Sequence, residues 1–340
     1  MMTTDRQAKP LDVAKALKVV RRPLIVSHAK PDGDAIGAIL ALGDFLTGLG
    51  SAPTCLIFDE LPDRYQWLDR KGVLRQLGGD IRERELNGFD AVIIADTCTY
   101  SQLEPIADWL RTAACRKLVV DPHQTRDQRA DTYLLDDSAA ATCLIIYELA
   151  RECGWSISGA AAEALFTGIA TDTGWLKHSN TNGRALAACA DLVDRGVNAN
   201  RIFSLLYQAD KPQRIRLLGR AVESLEMLEN DRLAVMTLPA QAFVDLGAAP
   251  GDTEDIVNEP LRIATVLVSA LLVEQEGVIR VNLRSRAPHN PGDADIDVSR
   301  IASQLGGGGH RRAAGVRLQM PLPQARENLL RHLLPLFKSR

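Results

Sequence analysis

No run of apolar residues in this 340-residue chain is long enough to cross a membrane. The longest, 264–273, is about half of the ~20 residues such a helix needs. The segment 1–17 is polar and charged with no apolar centre, so a secretory signal is not expected. Cysteine is scarce at six residues, and Cys55, Cys98, Cys115, Cys143 and Cys153 show no C-x-x-C spacing. That argues against a disulfide framework, and a cytoplasmic, reducing setting is expected. A strong charge of either sign is missing too, the net value being −3, so there is no broad basic field for a long nucleic acid. A polyanionic ligand would have to be met locally. Internal repeats and low-complexity tracts are absent.

What remains is an ordinary globular composition, 46% hydrophobic and 24% charged, on a chain long enough for two cores. In the first half, short apolar runs at 24–26, 53–58, 91–95 and 117–120 alternate with stretches long enough for helices, the pattern of an α/β, doubly wound parallel sheet. Ser138 is expected to cap a helix running to Glu152, and 157–170, 183–196, 200–208 and 212–228 read as further helices. Beyond Asn230 the texture changes. Strands are expected at 232–238, 263–273, 278–283 and 316–320, with a loop over 287–295 and a short helix over 298–305. The expected organisation is a catalytic domain over 1–195, a helical linker over 196–230 and a smaller α/β domain over 231–340.

The segment Ser27-His28-Ala29-Lys30-Pro31-Asp32-Gly33-Asp34 follows the first strand and opens a helix. Loops at the carboxyl ends of strands in an open α/β sheet line the ligand crevice, so His28, Asp32 and Asp34 are candidates for a metal site. Oxygen and imidazole donors without cysteine suit Mn²⁺ or Mg²⁺ better than structural zinc. The competing reading makes one of the acids a helix cap. Asp96 ends the strand over 91–95, and Asp121-Pro122-His123-Gln124 ends the next, so acids or imidazole from three strands reach one rim. Asp172 closes an apolar helix, where the helix dipole disfavours a carboxylate and a neighbouring cation would be needed. These acids with His28 supply donors for two ions, an arrangement suited to phosphoryl hydrolysis. Late in the chain, four glycines, 306–309, precede His310, Arg311 and Arg312. They read either as a flexible turn or as a backbone cradle for an anion ahead of a helix.

Taken together, H-A-K-P-D-G-D-A-I-G-A at His28, the strand-end Asp96, T-D-T-G-W-L-K-H-S-N-T at Asp172 and G-G-G-G-H-R-R-A-A-G at His310 resemble the DHH/DHHA1 phosphoesterases, most closely their bacterial oligoribonuclease and pAp-phosphatase branch. The segments Asp252-Thr253-Glu254-Asp255-Ile256-Val257-Asn258 and Val281-Asn282-Leu283-Arg284-Ser285 add to the likeness. The resemblance implies a two-metal hydrolase using Mn²⁺, with Mg²⁺ as the alternative. It assigns one ion to His28, Asp32 and Asp96 and the other to Asp34, Asp96 and Asp172, with Asp96 as the shared catalytic carboxylate. It places His123 on substrate phosphate, and Arg284, Ser285, Gly307, Gly308, Gly309 and His310 on the far end of the substrate. Short RNA or DNA oligonucleotides, linear dinucleotides or pAp are the implied substrates, handled by a homodimer with no membrane partner. The family also places a histidine on the second ion where this chain has Pro122, which offers no ligand atom. That departure keeps open a nucleotide-binding module with weak or lost turnover, and a cyclic-dinucleotide phosphodiesterase is the other alternative.

Overall fold

The computed structural model describes residues 8–123, 127, 130–288 and 295–338, in two compact units, Met1–Ala209 and Asp210–Arg340. Gln124 and residues 289–294 of the expected loop lie outside the described residues. Among the described residues no helix is long and apolar enough to cross a membrane. None of the six cysteines, Cys189 included, forms a disulfide among the described residues.

The first unit is built on six parallel strands: β1 (Pro23–Val26), β2 (Thr54–Ile57), β3 (Leu74–Gln76), β4 (Ala91–Ala95), β5 (Arg116–Asp121) and β6 (Thr132–Leu135). Their order is β3-β2-β1-β4-β5-β6, so the sheet is doubly wound and its direction of winding reverses between β1 and β4. β1 and β4 are buried along their whole length, which is why they read as continuous apolar runs. β3 and β6 escape that reading; β3 is only three residues long and buries only Leu74.

One face of the sheet is covered by α1 (Pro10–Lys18) and α2 (Gly33–Gly48), the other by α3 (Ala107–Thr112) and the segment before it. The first face also carries α4 (Thr142–Glu152), α5 (Gly159–Asp172) and α6 (Gly183–Asp194), with α7 (Ala199–Tyr207) beyond them. α2 and α5 are apolar almost all round and pack closely on each other, as expected of helices enclosed by protein. α4 starts later than Ser138. Its N-cap is Ala141, which offers no side-chain acceptor, and the first amides are met instead by Asp34.

Residues 196–230 are divided between the units, α7 lying in the first and α8 (Pro212–Glu223) in the second. α8 is shorter than its sequence pattern. Ser224 Oγ donates to the Ala221 carbonyl at 2.7 Å and accepts from Thr237 N–H at 2.9 Å, turning the chain into β7 (Glu226–Leu228). β7 joins β8 (Leu233–Leu238), β9 (Val268–Gln275), β10 (Val278–Ser285), β11 (Gly308–His310) and β12 (Ala313–Leu318) in a mixed sheet of order β11-β12-β10-β9-β8-β7. β9 begins well after residue 263 because Arg286 holds the carbonyls of Ile263 and Ala264, at 2.7 and 2.5 Å.

Apolar side chains of α8 and α9 (Ala240–Leu246) cover one face of the sheet, and those of α10 (Val298–Gln304) and α11 (Leu322–Leu333) the other. The glycine run is not the approach to a helix. Gly308 and Gly309 form the edge strand β11, which pairs with β12 and covers what would otherwise be an open edge.

Candidate metal centre

The residues that converge do so because β1, β4 and β5 are adjacent and all end on the same rim, at the reversal point of the sheet. Asp32 is the N-cap of α2: its Oδ1 accepts from the amides of Asp34 and Ala35, each at 3.0 Å. Capping employs one carboxylate oxygen and leaves the other available. The loop before it is tied to the neighbouring segment by Ala29 N–H donating to the Gln102 carbonyl at 2.8 Å.

Asp96 follows β4 with φ +62°, a left-handed conformation that costs a side-chain-bearing residue roughly 1–3 kcal/mol. Its amide donates to the Val120 carbonyl at 3.0 Å, so the end of β4 is fastened to β5. The carboxylate is buried, with Oδ1 accepting from Thr142 Oγ1 at 2.9 Å and Oδ2 lying 3.3 Å from His28 Nε2. Asp121 closes β5, fully buried, and its Oδ1 is 2.7 Å from His123 Nδ1. That nitrogen also lies 3.9 Å from Asp96 Oδ1.

Two groups of side chains have ligand atoms all within 4.8 Å of one another: His28 with Asp32 and Asp96, and Asp96 with Asp121 and His123. Asp96 belongs to both. Asp34 and Asp172 belong to neither group, yet their charges act on the same place. Asp34 is buried, with Oδ2 accepting from Thr142 N–H at 2.6 Å and Oδ1 from Cys143 N–H at 2.9 Å. It therefore caps α4 from more than a hundred residues away, where the helix dipole favours an anion. Burial, reinforced by the charges of Asp96, Asp172 and Asp32, pushes its carboxyl well above the ordinary range.

Asp172 ends α5, and the chain reverses after it through Gly174, Trp175 and Leu176, at φ +55°, +59° and +66°. Two strained side-chain-bearing residues in succession need support. Trp175 finds it among Phe166, Phe203 and Tyr207, at ring separations of 5.8, 5.1 and 5.9 Å. Asn180 Nδ2 then bonds the carbonyls of Ala140 and Asp172, at 3.0 and 3.2 Å.

Crowding by protein and the charges of Asp96 and Asp32 raise Asp172 to about 7 although the residue reaches solvent. The neighbouring acids add to the effect of burial, with water screening part of their repulsion. His28 is raised despite its burial, because Asp96 and Asp32 favour the imidazolium. His123 is raised to about 9, chiefly by its hydrogen bond to Asp121, with its ring more than half exposed.

In the second unit, register brings together residues far apart in sequence. Arg284 of β10 and His310 of β11 both stand opposite Ala313 of β12, so they occupy one row across the sheet. Directly opposed residues of neighbouring strands share a face, and this row sets the two side chains about two strand spacings apart, roughly 10 Å. Burial lowers the Arg284 guanidinium somewhat, Asp255 opposing the shift. Ser285 faces the other way, its buried Oγ donating to the Ile296 carbonyl at 2.7 Å. Gly307 N–H is already committed to the Ala302 carbonyl at 2.7 Å, and Gly308 and Gly309 lie in the exposed edge strand.

The model of the DHH family, N-terminal domain, matches residues 22–169, and that of the DHHA1 domain matches 230–339. The chain belongs to the DHH/DHHA1 family. A Thermus thermophilus protein, described as a bifunctional oligoribonuclease and PAP phosphatase, is 29% identical over 94% of this chain and 91% of its own length. A Bacillus subtilis protein of the same description is 25% identical, over 67% of this chain and 69% of its own. An exopolyphosphatase-related protein from Bacteroides fragilis has the same fold, with a TM-score of 0.90 over the whole of both chains at 23% identity.

The DHH-domain donors suit a hard divalent cation: carboxylate oxygens and imidazole, no thiolate, and one wholly buried oxygen, Asp121 Oδ2, that has no hydrogen-bond partner among the described residues. The sequence puts Asp121 at the same rim, but the resemblance assigns it to neither ion. The signal is present, since it closes an apolar strand just as Asp96 does. Thr142, which holds both Asp96 and Asp34, carries no sequence signal.

Asp172 sets a pH dependence for the metal-free protein. The folded carboxyl holds its proton up to about 7, the unfolded one only up to about its ordinary 3.8. Between those values the folded state binds more protons, so this contribution to stability declines as pH rises through that window. Asp172→Asn is expected to make the metal-free melting temperature fall less between pH 5 and 7.5. An identical fall in both proteins would show that Asp172 is not crowded by the other acids.

Proposed function

We propose that this chain is a Mn²⁺-dependent phosphoesterase that hydrolyses short oligonucleotides, linear dinucleotides or pAp. The observation that carries the reading is the convergence of three adjacent strand ends on one carboxylate, Asp96, which belongs to both ligand groups. The curated relatives of matching length, oligoribonucleases and PAP phosphatases by description, support the substrate class.

His28, Asp32 and Asp96 would hold one ion, and the Asp34 and Asp172 carboxylates, in neither ligand group, add negative charge near Asp96 that favours divalent cations there. Divalent ions bound here supply a water acidified towards hydroxide and positive charge against the phosphoryl oxygens. The protein's own contribution is to fix the donors and to manage protons. Thr142 Oγ1 and His28 Nε2 hold the two oxygens of Asp96, and the left-handed backbone turns that carboxylate back over the sheet end. His123, held on its Nδ1 side by Asp121 and with its ring more than half exposed, can donate from its other ring nitrogen to a phosphate oxygen of substrate.

Arg284 and His310 would hold a further phosphate or base edge on the second unit. Arg284→Ala is expected to raise KM roughly 10- to 100-fold, the worth of a charge-assisted contact, with Mn²⁺ content unchanged. An unchanged KM for a dinucleotide would remove Arg284 from the substrate. Pro122, where the family places an imidazole, favours a second reading, a nucleotide-binding module without turnover. Purified protein with Mn²⁺, assayed on pAp and on labelled RNAs of a few nucleotides, separates the two: binding with no product would leave only the second.

A further inference from the structure

We propose that Asp121 and His123, together with Asp96, hold a second divalent cation, so that a strand-end carboxylate and its imidazole partner supply what Pro122 cannot. This rests on the metal-dependent reading above. Asp121 has no exposed surface, and while its Oδ1 faces His123, its Oδ2 meets no hydrogen-bond donor among the described residues. A carboxylate oxygen taken out of water and left alone is costly, and buried acids in proteins are paired with cations or hydrogen-bonded throughout. His123 satisfies one oxygen only.

The second observation is independent of that bare oxygen. Ligand atoms of Asp96, Asp121 and His123 lie within 4.8 Å of one another, His123 Nδ1 being 2.7 Å from Asp121 Oδ1 and 3.9 Å from Asp96 Oδ1, separations that ligands of one ion with bonds of about 2.2 Å can have once Nδ1 has given up its proton. The backbone is in place for it. The Asp96 amide is bonded to the carbonyl of Val120, next to Asp121, and Asp121 is in register with Leu135 of β6. Because Asp96 also completes the group with His28 and Asp32, the two cations would share one carboxylate.

The plain alternative is that Asp121 merely orients His123 toward substrate. It leaves Oδ2 unexplained, and it predicts altered KM with no change in metal binding.

Calorimetric Mn²⁺ titration and metal content after gel filtration decide between them, on wild type, Asp121→Asn, His123→Gln and Asp32→Asn, with circular dichroism to establish folding. Wild type is expected to bind two ions. Asp121→Asn and His123→Gln should each keep one ion at wild-type affinity and bind the other more than ~10-fold more weakly, at least the loss seen when a supporting residue of a metal site is removed. Asp32→Asn should weaken the ion that those two variants retain. If Asp121→Asn does not fold, His123→Gln, altered at an exposed ring, decides alone. Two ions of undiminished affinity in both variants would overturn the assignment while leaving the metal-dependent reading intact. A wild-type protein that binds no Mn²⁺ would overturn both.

Discussion

Asp96→Ala should reduce hydrolysis by on the order of a thousandfold or more, about 4 kcal/mol of transition-state stabilisation at 1.36 kcal/mol per tenfold. Asp96 is the one acid common to both ligand groups, so a single substitution removes a donor from each. It also releases His28 Nε2 and Thr142 Oγ1, which hold its two oxygens. Fold stability should move little by comparison. Burial raises the Asp96 carboxyl, and Asp32 raises it further, so removing the charge relieves crowding in the metal-free protein. Asp96→Asn makes the sharper comparison, because asparagine tolerates the left-handed backbone at φ +62° and keeps the shape. It should melt near wild type and still be inactive. Turnover at wild-type level by Asp96→Ala at saturating Mn²⁺ would falsify the shared-carboxylate assignment.

The second large effect is structural and reaches the site indirectly. Gly168, inside α5, lies where a Cβ would press on Cys143 Sγ, and would come within 2.8 Å of Cys143 Cβ and 2.7 Å of Asp34 Oδ1. None of the three can retreat easily: Cys143 is in the first turn of α4, and Asp34 accepts from the two amides that begin that helix. Gly168→Ala is therefore expected to destabilise the protein by roughly 1–3 kcal/mol, the range for overpacking a filled core. It should lower activity as well, by shifting Asp34. Gly219 is the natural control, also interior to a helix but with nothing among the described residues within 4 Å of its Cβ position. Gly219→Ala should leave activity alone and add about 0.5–1 kcal/mol of stability through the helix preference of alanine. Thermal denaturation of the two variants measures the contrast. Equal stability changes would mean that α5 and α4 have room between them after all.

Much of the catalytic rim is legible in the amino-acid sequence. Apolar runs of strand length alternating with helix-length segments specify a parallel doubly wound sheet, because burial on both faces demands continuous hydrophobicity. In such a sheet the carboxyl ends of strands carry the chemistry, so an acid closing an apolar run, as at Asp96, can be picked out by inspection. Helices α5, α6 and α7 lie within a few residues of their expected spans for the same kind of reason, a period and a stop contained in a dozen positions.

The tertiary structure decided what depends on who faces whom. Sequence offers both a cap and a metal ligand for Asp32 and Asp34; in the structure Asp32 caps its own helix, while Asp34 caps α4, a helix beginning 108 residues later. Gly168 and Gly219 are alike as helix glycines, and only the approach of α4 to α5 makes one irreplaceable. Arg284 and His310 share a row because both register with Ala313, and no local pattern encodes that register. Sequence places Asp121 at a strand end, but only the structure shows one of its carboxylate oxygens taken by His123 and the other without a hydrogen-bond partner among the described residues. Periodicity, capping chemistry and turns act over a few residues and are written in the chain, whereas strand order, helix approach and the partner of a buried charge are set by packing between distant segments.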